Sequence, residues 1–310
     1  MKRTEKQGLS ISAMTLGTVQ LGLNYGINNK NGMPTETESF RILDTAYEHG
    51  VTMLDTSNDY GESEAVIGKY LRANPEKRMA ICTKFRIDKE SGKDVYGSLR
   101  AFATASMKKL GVDHLPIFMS HIEDDYFNYG KELAVALDEL KKEGLIHSAG
   151  MSVSKKDRLE EIVDSGIFDA IQLPLNIWDN EVIRNGTVKS MADAGIAVFV
   201  RSVYLQGMFF RSEEEVRNTK FASAAPLIQA LHAIAEDEGI TVPELALSFI
   251  RDTEGVTSLV VGSETPEQVR QNAAMFESPS LSARTMERIL SEFSNVDPFL
   301  ISPWLWSSRQ

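Results

Sequence analysis

Residues 51–84, VTMLDTSNDYGESEAVIGKYLRANPEKRMAICTK, contain two short apolar runs separated by a longer helix-like segment. The runs are VTMLDT at 51–56 and MAICTK at 79–84. Both are mostly apolar and do not alternate with polar residues, which is typical of strands that are covered on both faces. The stretch therefore predicts two parallel strands joined by a helix.

The same pattern recurs along the whole chain, because further apolar runs are each preceded or followed by a helix-like segment of ten or more residues. These runs lie at 14–19, 116–121, 148–153, 170–175, 197–202 and 258–263. Together with the first two they make eight. Eight alternating strands and helices predict an α/β fold, a (β/α)8 TIM barrel, formed by residues 1–310 as a single domain.

Helix-capping residues support this fold. Thr35 is predicted to cap a helix over 36–49 that stops at Gly50, and Ser154 precedes a helix-like segment. Thr241 and Thr265 are each followed closely by a proline, which predicts helices over 242–251 and 266–276.

Three segments lie outside the repeat. LSISAM at 9–14, with the segment before it, predicts a short hairpin that closes the bottom of the barrel, the end at which the strands begin. Residues 204–222 are expected to form a long loop after the seventh strand. Residues 280–310 are expected to form a helix and a tail that contains Trp304 and Trp306.

Composition excludes several classes of protein. With 310 residues, 42% of them hydrophobic, the chain exceeds the ~250 residues of a typical barrel. A net charge of −11 argues against a nucleic-acid partner. No apolar run approaches the ~18 residues of a membrane span, and none resembles a secretory signal, so we expect a cytoplasmic protein. One cysteine and five scattered histidines predict neither a disulfide nor a metal site. Nothing here indicates the oligomeric state.

Four ionisable residues fall at or just after the carboxyl ends of predicted strands, where the active sites of such barrels lie. Asp55, Lys84 and His121 end three successive strands, and Tyr60 follows Asp55 in a loop. Taken singly, Asp55 could cap a turn, Lys84 could reach solvent, Tyr60 could pack and His121 could be a buried structural histidine. Their shared end of one barrel favours a catalytic group.

These residue types suit the reduction of a carbonyl group, in which an acid must protonate the developing alkoxide. A tyrosine, with a pKa near ~10, is a weak donor that a neighbouring lysine would strengthen by lowering its pKa. A carboxylate would hold the lysine in place. A histidine could hydrogen-bond the substrate oxygen or relay the proton.

At these residues the chain resembles the aldo-keto reductase family, through LDTSNDYGESEAVIGKYL at 54–71, ICTKF at 81–85 and IFMSHIEDD at 117–125. The likeness extends from 12–22 to 239–272. The resemblance implies an NAD(P)H-dependent reductase in which Tyr60 is the general acid, Lys84 and Asp55 tune its pKa and His121 orients the carbonyl.

The family binds NADPH or NADH without a Rossmann domain, and no G-x-G-x-x-G motif opens a helix after a strand here. By resemblance, the cofactor-binding residues are Gly17, Thr18, Val19, Asp55, Ser152, Gln172, Arg201, Ser202, Leu205, Gln206, Gly207, Gly262, Ser263, Glu264, Thr265, Gln268, Gln271 and Asn272. A helix beginning near Pro266 would also direct amide groups at the cofactor phosphates.

Some positions depart from the family pattern. Val153 stands where many relatives have asparagine, and Arg201 stands where an aromatic ring often stacks on the nicotinamide, as a guanidinium can. Gly262, Glu264 and Gln268 lack the basic side chains that pair with the 2′-phosphate of NADPH. NADH use is therefore expected to be possible, although Arg270 could still supply a cation.

The substrate pocket is expected to contain Tyr25, Asn58 and Trp178. Other predicted pocket residues are Leu23, Asn24, Asp59, Glu123, Asp124, Trp304 and Trp306. Such polar, acidic and aromatic walls suit a small-molecule carbonyl compound that resembles a sugar or polyol. Two alternatives stay open: a nicotinamide-binding regulatory module without turnover, and a lyase that uses Lys84 to form a Schiff base.

Overall fold

The computed structural model describes residues 1–25 and 32–306. Its strands are β1 (Arg3–Lys6), β2 (Leu9–Ser12), β3 (Met14–Gly17), β4 (Met53–Asp55), β5 (Ala80–Phe85), β6 (Leu115–Ser120), β7 (Ile146–Ser152), β8 (Ala170–Pro174), β9 (Ala197–Arg201) and β10 (Ser258–Gly262). Its α-helices are α1 (Glu36–Glu48), α2 (Ser63–Ala73), α3 (Val95–Leu110), α4 (Asp124–Lys142), α5 (Leu159–Asp164), α6 (Glu181–Arg184), α7 (Thr187–Asp193), α8 (Glu213–Arg217), α9 (Ala225–Glu238), α10 (Val242–Arg251), α11 (Pro266–Phe276) and α12 (Ala283–Glu292).

Strands β3 to β10 form a closed parallel barrel, in which β10 pairs with β3 and completes the ring. Each predicted apolar run supplies one of these strands, so the predicted (β/α)8 barrel is confirmed. The helices pack on the outside of the barrel, and the apolar residues between the two layers form the main core.

Strands β1 and β2 form the predicted antiparallel hairpin, although β2 ends at Ser12 and Met14 already belongs to the barrel. Ser12 exchanges hydrogen bonds with Thr52, just before β4 begins. Ile11 is buried inside the barrel together with Met53 and Ile117. The hairpin therefore closes the end at which the strands begin.

Three of the four helix-cap predictions are confirmed. Thr35, Thr241 and Thr265 each accept a hydrogen bond from the backbone N–H three residues on, and Thr241 does so within a capping box. Ser154 is not a cap. The helix after β7 begins only at Leu159, and the Ser154 hydroxyl instead accepts a hydrogen bond from Arg201.

The prediction that 204–222 is a loop is wrong. This segment contains a 3-10 helix at Leu205–Phe210, helix α8 with a capping box from Ser212, and a second 3-10 turn at Ala222–Ala224. Beyond α12 the tail packs through Trp306, which contacts Phe221. Residues 307–310 of the predicted tail lie outside the described residues. No helix in the described ranges is long and apolar enough to cross a membrane.

Inside the barrel, alternate strand residues point toward the axis because side chains on a strand alternate between its two faces. Met53, Cys82, Ile117, Ala170 and Phe199 belong to this interior cluster. By the same alternation, the inward positions at or near the carboxyl ends of the strands are Gly17, Asp55, Lys84, His121, Ser152, Gln172, Arg201 and Gly262. The end of the barrel at which the strands finish, called the upper end below, is therefore lined by one such residue from each strand.

Candidate active site

Asp55 and Lys84 form a fully buried ion pair at the upper end of the barrel. The Lys84 ammonium lies 2.7 and 2.6 Å from the two Asp55 carboxylate oxygens and donates a third hydrogen bond to the Thr56 carbonyl at 2.9 Å. Burial acts to lower the pKa of Lys84, but the Asp55 carboxylate, with smaller contributions from Tyr60 and Cys82, raises it by more, so the net pKa is raised. Lys84 is therefore a fixed cation at neutral pH.

Gln172 joins this pair from the opposite side of the barrel. Its Nε2 donates to Asp55 Oδ2 at 2.7 Å, and only 2% of the residue is exposed. The Asp55 carboxylate thus accepts hydrogen bonds from two side chains and is held in one orientation.

Tyr60 lies above the lysine, with Lys84 Nζ 5.2 Å from the centre of the phenol ring. Burial raises the pKa of Tyr60, although the Lys84 charge acts in the opposite direction. The expectation of a lowered pKa is not met, because burial outweighs the lysine. The phenol is consequently protonated at neutral pH, which is the form that a general acid requires.

The loop that carries Tyr60 is set against Gly22. A β-carbon at Gly22 would lie 1.9 Å from the Tyr60 carbonyl oxygen and 2.4 Å from the Ser63 nitrogen. A β-carbon at Gly61, whose φ is +53°, would in turn lie 2.4 Å from the Gly22 carbonyl oxygen. Only a residue without a side chain at position 22 permits this contact.

His121 lies beside Tyr60, with the two rings edge to face and their centres 5.6 Å apart. Its Nδ1 is 3.3 Å from Ser57 Oγ and 3.3 Å from Asp59 Oδ2. Burial and the nearby Lys84 charge lower the pKa of His121 to about 4. The imidazole is therefore neutral at neutral pH.

These side chains open into a cavity of about 640 Å³. The predicted site residues that line it are Gly17, Thr18, Val19, Tyr25, Asp55, Tyr60, His121, Ser152, Gln172, Arg201, Ser202, Gln206, Gly207, Gly262 and Glu264. The structure thus brings the four predicted catalytic residues to one place, with Lys84 directly beneath the floor, and extends the cavity toward β9 and β10.

The cavity wall after β9 has an unusual backbone. Ser202, Leu205 and Gln206 have φ values of 64°, 45° and 52°, and Gly207 has 88°. Positive φ is costly for residues other than glycine and concentrates at functional sites. Successive amides in such conformations form concave sites that suit an anion. This wall therefore fits a phosphate-bearing ligand.

The end of the cavity near β10 contains an acidic side chain, Glu264. Gly262 leaves room for Gln20, since a β-carbon there would lie 2.4 Å from Gln20 Nε2. Glu264 lines the cavity, and its backbone N–H donates to Gln268 Oε1 at 2.6 Å. Arg270, the proposed cation, is instead paired with Glu267 at 3.0 Å.

Several predicted residues do not line the cavity. Leu205 is buried below the wall, Thr265 caps α11, Asn272 donates to Ser263 and Gln271 donates to Glu267. The remaining predicted residues that lie outside the lining are Leu23, Asn24, Asn58, Asp59, Glu123, Asp124, Trp178, Ser263, Gln268, Trp304 and Trp306.

The expectation that Trp178 lines the pocket is not met, because its ring is 2% exposed and packs against Phe209. Asn58 is turned inward, with its Oδ1 buried. Glu123 accepts hydrogen bonds from the backbone of 154–155, and Trp306 donates to the Phe299 carbonyl.

The structure adds residues that the sequence analysis missed. Arg86, Ser154, Tyr204 and Phe210 all line the cavity. Arg86 immediately follows Phe85, at the end of β5, so its place at the barrel mouth was available from the strand pattern. No group of three His, Cys, Asp or Glu residues in the described ranges could hold a metal ion.

The sequence of this chain is similar to those of known proteins. The model of the aldo/keto reductase family matches residues 13–291. The chain is 26% identical to the NADH-specific methylglyoxal reductase of Escherichia coli (strain K12) over 297 residues, which covers 86% of this chain and 90% of that protein. It is 24% identical to the L-glyceraldehyde 3-phosphate reductase of Escherichia coli O157:H7, with 90% and 89% covered.

Solved structures share the fold. An aldo-keto reductase of Bacillus halodurans superposes with a TM-score of 0.75 at 21% identity, covering 97% of this chain and 99% of that one. A glycerol dehydrogenase of Gluconobacter oxydans gives a TM-score of 0.74 at 19% identity, with 96% and 98% covered. With the match of the family model to nearly the whole chain, this protein belongs to the aldo/keto reductase family of oxidoreductases.

Proposed function

We propose that this protein reduces a small aldehyde or ketone to an alcohol with a nicotinamide cofactor, and that Tyr60 is the general acid. The observation that carries the proposal is the position of the Tyr60 phenol, which lines the cavity with its ring centre 5.2 Å from Nζ of Lys84 in the buried Lys84–Asp55 pair. A cation beneath the phenol stabilises the tyrosinate that forms when the proton leaves, which lowers the barrier to proton transfer.

The remaining side chains have supporting roles. Asp55 and Gln172 hold the Lys84 ammonium in place, and His121 orients the substrate from the side of the cavity. The substrate carbonyl accepts a hydrogen bond from the Tyr60 hydroxyl, and that proton moves to the oxygen as it becomes an alkoxide. A nicotinamide cofactor, when bound, would supply the hydride.

The cavity fits such a cofactor. The Ser152 hydroxyl borders it near Gln172, and the Arg201 guanidinium, which donates to Ser154 Oγ at 2.8 Å, lies where it could support the nicotinamide ring. The left-handed backbone at 202–207 suits the pyrophosphate, and the end near Gly262 suits the adenosine. These assignments rest on the cavity lining and on the family pattern.

We also propose that NADH is preferred over NADPH. Glu264 is a carboxylate in the wall where the adenosine would lie, and Arg270 is already paired with Glu267. A 2′-phosphate would meet a like charge, which costs on the order of 1 kcal/mol or more in partly screened surroundings. The similar Escherichia coli methylglyoxal reductase is NADH-specific by name.

Two other functions are less well supported. A Schiff-base lyase needs a neutral, accessible lysine, whereas Lys84 is fully buried and its pKa is raised. A regulatory module without turnover does not need a proton donor above a buried lysine. For the substrate, the polar side chains that do line the cavity, such as Arg86, His121 and Ser154, favour a hydroxylated aldehyde that resembles a sugar or polyol.

The proposal is tested by mixing the purified protein with NADH and then with glyceraldehyde, methylglyoxal or propionaldehyde. We expect fluorescence quenching on NADH binding, followed by oxidation of the bound cofactor when an aldehyde is added. Binding without oxidation by any aldehyde would instead favour the regulatory module. Trapping of a substrate on Lys84 by borohydride would favour the lyase.

A further inference from the structure

Arg86 comes directly after strand β5 and lines the cavity, with half of its side chain exposed. It lies on the side of the proposed chemistry, because Lys84 belongs to the same strand and the Arg86 charge is one of the causes that lower the pKa of His121. A group attached to a carbonyl that Tyr60 and His121 hold can therefore reach Arg86.

The order of the strands separates Arg86 from the proposed cofactor phosphates. In the closed ring of eight strands, β5 and β9 are four places apart and so lie opposite each other. The wall that suits the pyrophosphate, at 202–207, follows β9. Arg86 consequently lies across the opening from that wall, where it faces the part of the cavity left to a substrate.

The charges in the cavity wall are unevenly distributed. In the part of the lining that the structure describes, the acidic and basic side chains are Asp55, Arg86, Arg201 and Glu264. Asp55 is neutralised by Lys84, and Glu264 follows β10, three strands away from β5. The substrate side of the cavity therefore has an excess of positive charge, although the whole chain has a net charge of −11.

The Arg86 guanidinium has donors to spare. Its Nε faces Asp59 Oδ2 at 3.5 Å, and no described residue accepts a hydrogen bond from its two terminal nitrogens. A guanidinium has five N–H donors, arranged as a planar fork that matches the oxygens of a phosphate or a carboxylate. The terminal nitrogens can therefore bind an anion while Nε keeps its contact with Asp59.

Two carboxylates compete for Arg86, and neither neutralises it fully. Asp59 is 45% exposed and Arg86 is 50% exposed, so their pair is weak. Asp125 also acts on Arg86, but it is buried, and it accepts hydrogen bonds from Ser120 Oγ at 2.5 Å and from the Ile87 backbone N–H at 3.2 Å. An anion in the cavity would therefore meet a cation that is only partly paired.

We propose that Arg86 binds an anionic group of the substrate, a phosphate or a carboxylate, while Tyr60 holds the carbonyl. The protein then prefers small aldehydes that carry such a group a few bonds from the carbonyl carbon, and Arg86 determines this specificity. The inference rests on the proposed carbonyl reduction and names its substrate class, which is compatible with a hydroxylated aldehyde.

The size and character of the effect follow from the contact. Hydrogen bonds between charged groups are stronger than neutral ones, so we expect kcat/KM for an anionic aldehyde to exceed that for its neutral counterpart about tenfold. The anionic group is remote from the reacting atoms and is bound before and during the reaction, so its loss should mainly raise KM. Because Arg86 is half exposed, salt should weaken the preference.

The preference is measured as the ratio of kcat/KM, with NADH, for glyceraldehyde 3-phosphate over glyceraldehyde. Succinic semialdehyde and butyraldehyde form a second pair that tests a carboxylate in place of the phosphate. In at least one pair the wild type should prefer the anionic aldehyde about tenfold, and the preference should fall as NaCl is raised from about 0.05 to about 0.5 M.

Three variants assign this preference to a side chain. Arg86→Gln should lose most of it, mainly through KM, and Asp59→Asn should increase it because a competing carboxylate is removed. Arg284→Gln, which removes an exposed arginine on α12, should keep it. No preference of the wild type in either pair, or an unchanged preference in Arg86→Gln, would overturn the proposal.

Binding of the anion can also be measured without turnover, by calorimetric titration of the full chain with glycerol 3-phosphate in the presence of NADH. The affinity should fall about tenfold in Arg86→Gln and stay the same in Arg284→Gln. An affinity that Arg86→Gln does not change would contradict the anion site. Failure to reduce any of the four aldehydes would contradict the proposed function instead, while the titration would still decide whether Arg86 binds the anion.

Discussion

Lys84 and Asp55 lie on adjacent strands of the barrel, and the lysine ammonium contacts both carboxylate oxygens at 2.7 and 2.6 Å although no part of the Lys84 side chain is exposed. Each charge is stable in the interior only because the other is present. Removing either partner alone would therefore leave an uncompensated charge in the interior.

Replacing Lys84 with methionine should destabilise the protein by about 3 kcal/mol or more, because Asp55 would be left as an unpaired buried charge. Urea unfolding monitored by circular dichroism measures this. The double variant Asp55→Asn/Lys84→Met should lose less stability than the single variant Lys84→Met. Lys142→Met removes two exposed ion pairs, with Asp138 and Glu139, and should cost much less stability. Equal losses in Lys84→Met and Lys142→Met would contradict the account of the buried pair.

The His121 pKa of about 4 predicts a pH-dependent contribution to stability. An unfolded histidine titrates near ~6.5, so acidification from pH 7 to 5 protonates His121 in the unfolded state but not in the folded state. Between pH 7 and pH 5, the free energy of unfolding of the wild type should fall by about 2 kcal/mol more than that of His121→Gln.

Asp125 acts in the opposite direction, because burial raises its pKa to about 6 and its folded form gains a proton on acidification. It is present in both proteins, so its effect cancels in the difference. Parallel loss of stability by the wild type and His121→Gln would show that His121 is not buried as a neutral group.

Cofactor preference should depend on Glu264. The wild type is expected to bind NADH more tightly than NADPH, and Glu264→Lys should shift the ratio of the two dissociation constants toward NADPH by about tenfold, since a like charge is replaced by an opposite one. Fluorescence titration measures both constants. Glu236→Lys makes the same charge change at an exposed position outside the cavity and should leave the ratio unaltered. Tighter NADPH binding by the wild type would contradict the preference.

Gly22→Ala should impair the proposed catalysis without touching any reacting group. The added carbon would collide with the Tyr60 carbonyl oxygen, so the loop that holds the phenol must shift. We expect kcat/KM for an aldehyde to fall at least about tenfold while NADH affinity is retained, since misplacing a reacting group is costly. Gly130→Ala meets only an ordinary contact at 3.4 Å and should have little effect. Full activity in Gly22→Ala would contradict the importance of this contact.

The barrel was predictable because its strands and helix caps are determined by short, local sequence patterns. Every strand appeared as a short apolar run, and the caps at Thr35, Thr241 and Thr265 depend only on residues three positions away. The error at Ser154 has a tertiary cause, since its hydroxyl accepts a hydrogen bond from Arg201, 47 residues away.

The candidate site was predictable in part for a similar reason. Asp55, Lys84 and His121 share the inward face and the carboxyl end of their strands, so the strand pattern alone brings them together. Trp178 and Asn58 lie in loops, where the sequence does not set the direction of a side chain, and both turn away from the cavity. The net rise in the Tyr60 pKa depends on burial by distant segments, which no local pattern indicates.

The most direct test of the proposed mechanism is single-turnover oxidation of protein-bound NADH by glyceraldehyde in the wild type and in Tyr60→Phe, with NADH affinity measured for both. Loss of the proton donor should slow oxidation by about 10²- to 10⁴-fold while the NADH dissociation constant stays nearly the same. Oxidation by Tyr60→Phe at the wild-type rate would contradict the assignment of Tyr60 as the general acid.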